Sequence, residues 1–213
     1  MSRGDAETIT TGNAWRREGV RNPLAARLVA HFDTAVDELF SVAAPASVLD
    51  VGCGEGILAK AWAERPEMGR VVGIDLPDPR LAAEWRSRRH SVLEYRFGDA
   101  CNLPFGAGEF DMAAGVEVLE HVPDPKTALA EMVRVARRHL LVSVPREPLW
   151  RGLNLLRGRY WRRGGSTPGH VNAWSRRAFL ELVSRYGRLE AVRGPLPWTV
   201  VLLRVEDPAG TGR

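Results

Sequence analysis

The sequence predicts an α/β fold: a doubly wound, mostly parallel sheet covered by helices on both faces, in a single domain. Three observations predict it. Short strand-like runs alternate with helical-period runs from residue 24 to residue 145. A glycine-rich turn, Gly52-Cys53-Gly54-Glu55-Gly56, lies between the first such strand and the helix that follows. Acidic residues recur at the ends of successive strands, as Asp75, Asp99 and Glu117.

The elements follow in order. Residues 1–22 are polar and lack a clear period, which predicts a flexible N-terminal segment. Residues 24–43 have apolar positions at helical spacing. "SVLDV" is the first strand, and the helix after the glycine turn, roughly 57–65, is ended by Pro66. "RVVGIDL", "VLEYRFGDA", "FDMAAGV" and "HLLVSVP" are the next four strands, with helices over 78–89 and 124–136. Parallel neighbours of this kind require right-handed crossovers. A Pro, Gly, Arg and Trp-rich insertion spans 146–174. A helix at 175–186 follows, then "RLEAVRG" and "WTVVLLRVE" as an antiparallel hairpin. The domain runs over 23–206, without internal repeats, and 207–213 is expected to be a disordered tail.

With 213 residues, 45% of them apolar, the chain can bury one sizeable core. It has no run of eighteen apolar residues and no signal-peptide pattern, so a cytoplasmic location is expected. Cys53 and Cys101 are too few for a disulfide framework. A net charge of +4 names no partner. The charge is uneven, however. Between Pro148 and Leu180 lie Arg151, Arg157, Arg159, Arg162, Arg163, Arg176 and Arg177, and no acid. That stretch suits an anionic substrate, a nucleic acid or an acidic membrane surface, or is simply a solvated basic insertion. Trp150, Tyr160, Trp161 and Trp174 lie in or beside it, either to stack on a flat ring or to anchor the insertion to the core. Trp15 and Arg16 are placed to close over a bound cofactor.

The glycine turn allows a backbone to approach a ligand at the carboxyl ends of the strands. Asp75 lies about twenty residues further on, where a carboxylate can accept both hydroxyl hydrogens of a ribose. Asp99 is placed to read an adenine amino group, and Asp50 to hold a cationic ligand group.

"VLDVGCGEG", "GIDL", "GDACNLPF" and "FDMAAGVEVLEHV" together resemble the successive motifs of class I S-adenosylmethionine-dependent methyltransferases, over roughly residues 47–145. The resemblance implies a Rossmann-like, seven-stranded sheet whose last strand is antiparallel. It assigns Gly52, Cys53, Gly54 and Gly56 to the methionine portion of the donor, and Asp75 with Leu76 to the ribose. Asp99 and Ala100 match the adenine contacts, and Gly115 and Val116 the floor beneath the sulfonium. A nicotinamide enzyme would leave the third and fourth motifs unexplained.

Glu117, Glu120 and His121 stand at i, i+3 and i+4, read as one face of a helix that starts after the fourth strand. Three readings stay open. His121 is a general base; the triplet binds a divalent cation; or the acids merely suit a helix N-terminus and His121 packs. His170, after the fifth strand, can return over the same edge. Two carboxylates and two imidazoles would suit Mn²⁺, Fe²⁺, Co²⁺ or Zn²⁺ better than Mg²⁺.

The same stretch resembles ubiquinone-biosynthesis O-methyltransferases, which act on catechol-like rings. With the distant His170 it also resembles small-RNA 3′-terminal 2′-O-methyltransferases. In that family two Glu and two His hold a metal on vicinal ribose hydroxyls, at positions matching Glu117, Glu120, His121 and His170. The expected activity is methyl transfer to a small-molecule acceptor, by in-line displacement. RNA 2′-O-methylation and a non-methylating cofactor-binding protein are the alternatives.

Overall fold

The computed structural model describes residues 23–156, 158 and 160–205. The expectations for 1–22 (Trp15 and Arg16 included), for Arg157 and Arg159, and for 207–213 lie outside the described residues, as does the side chain of Arg162.

Helix α1 is Pro23–Ala43, strand β1 Ser47–Val51, α2 Ile57–Ala63, β2 Arg70–Asp75, α3 Pro79–Ser87 and β3 Leu93–Phe97. Then come β4 Phe110–Val116, α4 Pro125–Val135, β5 Ala136–Pro145, α5 Leu149–Leu156, α6 Arg176–Val183, β6 Arg188–Arg193 and β7 Trp198–Arg204. The seven strands form one sheet in the order β3-β2-β1-β4-β5-β7-β6. β1 to β5 run parallel, and β7 is antiparallel to both neighbours, β5 and β6. The seven-stranded sheet with an antiparallel last strand is therefore as the resemblance implied.

Central strands of such a sheet bury both faces, so they read as continuous apolar runs rather than alternating ones. β4 is the clearest case, with all seven residues buried. Alternate residues point to opposite faces. Ala113 joins the core under α4 and α6, with Met132 and Phe179; Met112 and Ala114 join the core under α1 and α2, with Phe40 and Trp62. Helix starts are set by local chemistry. The Asp78 and Asp124 carboxylates cap α3 and α4, each ahead of a proline in the first turn, and the Ser175 hydroxyl caps α6.

As the sequence reading had it, no helix joins β3 to β4. The segment 98–109 holds Gly98, Pro104, Gly106 and Gly108 and is tied to α4 instead, where Arg134 donates to the carbonyls of Phe105 (2.7 Å) and Leu103 (3.0 Å). The insertion departs from that reading: it contains a helix, α5, which buries Trp150 and Asn154. Among the described residues no helix is long and apolar enough to cross a membrane.

Candidate active site

The glycine turn sits between β1 and α2, at the carboxyl edge of the sheet. Gly52, Gly54 and Gly56 all have positive φ (69°, 53° and 79°), a region that costs other residues steric strain. Gly52 also has no room for a side chain, because a Cβ there would lie 2.9 Å from Cγ1 of Val118. The turn is held from outside by Trp85 of α3 and Tyr95 of β3, stacked at 5.0 Å with planes 6° apart. The Trp85 indole donates to the Gly54 carbonyl (2.8 Å) and the Tyr95 hydroxyl to the Gly56 carbonyl (3.1 Å).

Asp75 ends β2, facing the turn. Its Oδ2 accepts the Gly54 N–H at 2.6 Å and its Oδ1 the Leu76 N–H at 2.7 Å. Burial pushes this carboxyl up, and the two backbone hydrogen bonds oppose that shift. Leu76 is 59% exposed beside it. Asp99 is exposed past the end of β3, where its Oδ1 accepts the Cys101 N–H (2.9 Å), and Ala100 is half-buried. Asp50 is buried in β1. Burial, then the charges of Asp50 and Asp75, push the Cys53 thiol well up, so it stays protonated. Gly115 lies inside β4, where a Cβ would sit 2.7 Å from Cε of Met132, so the Met132 side chain of α4 packs into the space this glycine leaves. Val116 faces the opposite core.

The helix expected at Glu117 is absent. Glu117 instead adopts a left-handed backbone, φ 61°, and residues 118–121 form a single turn closed by the His121 N–H on the Val118 carbonyl (2.9 Å). Pro123 and Pro125 delay the helix, which begins only at Pro125. This turn brings part of the expected set together. Glu120, His121 and His170 each place a ligand atom within 4.8 Å of the others. Glu117 stands outside that group. Its carboxylate accepts the Trp198 indole N–H at 2.7 Å and the Ser143 hydroxyl at 3.3 Å, while its N–H donates to the Ser143 hydroxyl oxygen at 3.1 Å.

The Glu120 carboxyl is buried, and neither oxygen has a hydrogen-bond partner among the described residues. Burial, then the nearby Glu117, pushes it well above the usual carboxylate range. His121 Nδ1–H donates to the Gly169 carbonyl at 3.0 Å, which fixes the tautomer and turns the Nε2 lone pair outward. Burial lowers the His121 pKa. His170 meets His121 edge to face at 4.8 Å, and burial, then His121 and Arg151, lowers it to about 4. Both imidazoles are therefore neutral at pH 7.

The insertion delivers His170 through residues that carry no motif. The Trp150 indole donates to the Thr167 hydroxyl (2.9 Å), and Asn154 donates to the Gly165 carbonyl (2.9 Å). The N–H groups of Val171 and Asn172 both donate to the Glu120 carbonyl. Trp150 lies nearly parallel to His170, at 6.1 Å and 20°. Trp174 packs on Phe179 and anchors the insertion, whereas Trp161 is 70% exposed. Arg151 and Arg177 pair with Glu147 and Glu181 respectively.

Comparison with known proteins places the fold in a family. A family model described as a methyltransferase domain matches residues 49–141. The ubiquinone biosynthesis O-methyltransferase of Pseudomonas entomophila is 34% identical over 163 residues, covering 69% of this chain and 69% of that one. Its namesake from Pseudomonas aeruginosa is 33% identical over 154 residues, and there the match spans 63% of this chain and 64% of the relative's length. Among solved structures, magnesium protoporphyrin IX methyltransferase from Synechocystis, with bound S-adenosylhomocysteine, superposes with a TM-score of 0.65 at 17% identity, over 92% of this chain and 96% of that one. An S-adenosylmethionine-dependent methyltransferase from Mesorhizobium loti gives 0.58 at 19% identity, over 74% and 90%. The chain belongs to the class I S-adenosylmethionine-dependent methyltransferases. Within that class, its sequence is similar to ubiquinone biosynthesis O-methyltransferases.

Proposed function

We propose that this chain transfers the methyl group of S-adenosylmethionine to a hydroxyl of a small molecule, and that Glu120, His121 and His170 hold a divalent metal beside that hydroxyl. The observation that carries this reading is the cluster of three ligand atoms within 4.8 Å, two of them on the turn that packs against Gly52 and the third, from His170, on the insertion. Similarity to ubiquinone biosynthesis O-methyltransferases supports an oxygen acceptor.

The residues fit both groups. The glycine turn offers backbone without Cβ atoms, and each Asp75 oxygen keeps a second lone pair for a ribose hydroxyl. Glu120 offers buried oxygens with no other partner among the described residues. The Gly169 carbonyl orients the His121 ring as second-shell acceptors orient metal-bound imidazoles. Three protein ligands leave positions open for acceptor oxygens, and a mixed O/N set suits Mn²⁺, Fe²⁺, Co²⁺ or Zn²⁺ better than Mg²⁺. Such an ion, when bound, lowers the pKa of the acceptor hydroxyl.

The remaining work belongs to the chain itself. The glycine turn and Asp75 bind the donor, and the buried Trp150 ring backs His170. In a reaction without ion, Nε2 of His121 is the lone pair that takes the hydroxyl proton. In-line transfer needs little covalent help, so positioning supplies much of the rate.

The test is S-adenosylhomocysteine formation with catechols, single phenols and sugar diols, with Mn²⁺ and with chelator. Methylation of catechols that chelator abolishes, and that Glu120→Ala and His121→Ala both lose, supports the reading. Turnover indifferent to chelator removes the metal. Turnover with RNA ends only, falling steeply with salt, moves the acceptor to nucleic acid.

A further inference from the structure

We infer that Asn172 is a positioning residue that sets His170 against Glu120 and His121. The turn after β4 has a hydrogen-bonding problem. It is not helical, and α4 starts only at Pro125, so the carbonyls of Leu119, Glu120 and Val122 have no helical donors. All three are taken up by two residues about fifty positions later. The N–H groups of Val171 and Asn172 donate to the Glu120 carbonyl at 2.8 and 3.1 Å. The Asn172 carboxamide donates to the Leu119 carbonyl at 3.1 Å and to the Val122 carbonyl at 2.7 Å.

Both side-chain partners are carbonyls, so the carboxamide orientation is forced and both of its hydrogens are committed. The amide thus spans the turn from one side of Glu120 to the other. His170 lies two residues before this staple, and its own N–H is turned back to the Thr167 carbonyl at 3.2 Å. With Asn172 docked, the backbone is held on both sides of His170, and its ring meets His121 edge to face. The donor end of the site is built differently, from the Gly54 and Leu76 amides on Asp75. Loss of Asn172 therefore loosens one half of the site and spares the other.

The metal half of this inference rests on the reading proposed above, so the experiment has a second readout that does not. Asn172→Asp keeps the shape and removes both donated hydrogens; Asn172→Ala is the companion variant. Metal-stripped full-length protein, loaded with S-adenosylhomocysteine, is titrated with Mn²⁺ by calorimetry. In parallel, nuclear Overhauser contacts between the His121 and His170 rings are recorded on histidine-labelled protein. The expected result is loss of the inter-ring contacts and a fall of about 10–100-fold in Mn²⁺ affinity, the usual effect of removing an outer-shell support. Affinity for S-adenosylhomocysteine should stay within about twofold, because Asp75 and its partners are untouched. Lost ring contacts without Mn²⁺ binding in the parent protein would refute the metal and uphold the positioning role. Retained ring contacts in both variants would overturn the inference, as would an equal loss of S-adenosylhomocysteine affinity.

Discussion

Replacing Glu120 with Gln should make the metal-free protein more stable as pH rises. The Glu120 residue is 1% exposed, and neither carboxyl oxygen has a partner among the described residues. Burial and the nearby Glu117 raise its pKa well above the ordinary 4.5. A group whose folded value is raised contributes stability that is complete below its unfolded value and is lost as pH climbs through the folded one. The parent should therefore lose stability relative to Glu120→Gln as pH climbs above the ordinary carboxylate range, at no more than about 1.4 kcal/mol per pH unit for a single group. For a chain of this length each kcal/mol corresponds to roughly 2–4 °C in Tm. His121 and His170 have lowered values, so their contribution is present above their unfolded value and lost on acidification, the opposite sign. They are common to both proteins and cancel in the difference. Urea midpoints at pH 5, 6 and 7 in chelator read that difference directly. A parent-minus-variant difference that is flat with pH would refute the argument, because the buried Gln amide contributes only a constant offset. Mn²⁺ at 100 times its dissociation constant should then add about 2.7 kcal/mol to the parent and nothing to the variant.

Three further outcomes are expected. Gly56→Ala places a Cβ 2.6 Å from Cε1 of Tyr95 at a φ of 79°, and should cost about 2–4 kcal/mol in urea unfolding, from left-handed strain plus overpacking. Trp198→Phe keeps a ring between Phe32 and Trp150 but removes the N–H held by Glu117; denaturation should show a loss of about 1.5–3 kcal/mol, the value of a hydrogen bond to a charged group. Asp75→Ala should weaken S-adenosylhomocysteine binding at least about tenfold by calorimetry, since losing even one charge-assisted hydrogen bond has that effect.

The central strands were legible because they are short apolar runs bounded by turn residues, and β4 matches its expected limits. The glycine turn was legible because only glycine occupies three nearby positive-φ positions at low cost. The turn at 117–121 was misread for a physical reason. A 3.6-residue period and a single tight turn bring the same i, i+3 and i+4 positions near one another, and prolines 123 and 125 decide between them. The supports of the site gave no signal at all. Ser143, Thr167, Asn172 and Trp198 act through partners up to eighty-one residues away in the chain. Nothing in their local sequence marks them, because their importance is set by which backbone groups the fold leaves unpaired.

The place of β7 has a consequence for synthesis. It is made after β6 yet lies between β5 and β6, and it supplies Val201 and Leu203 to one core and Trp198, Val200 and Leu202 to the other. Neither face of the sheet can close until residues 198–204 have left the ribosome. From the completion of β5 until β7 emerges, the nascent chain carries β5 with one apolar edge unpaired, so this non-local pairing, rather than any local helix, completes the sheet.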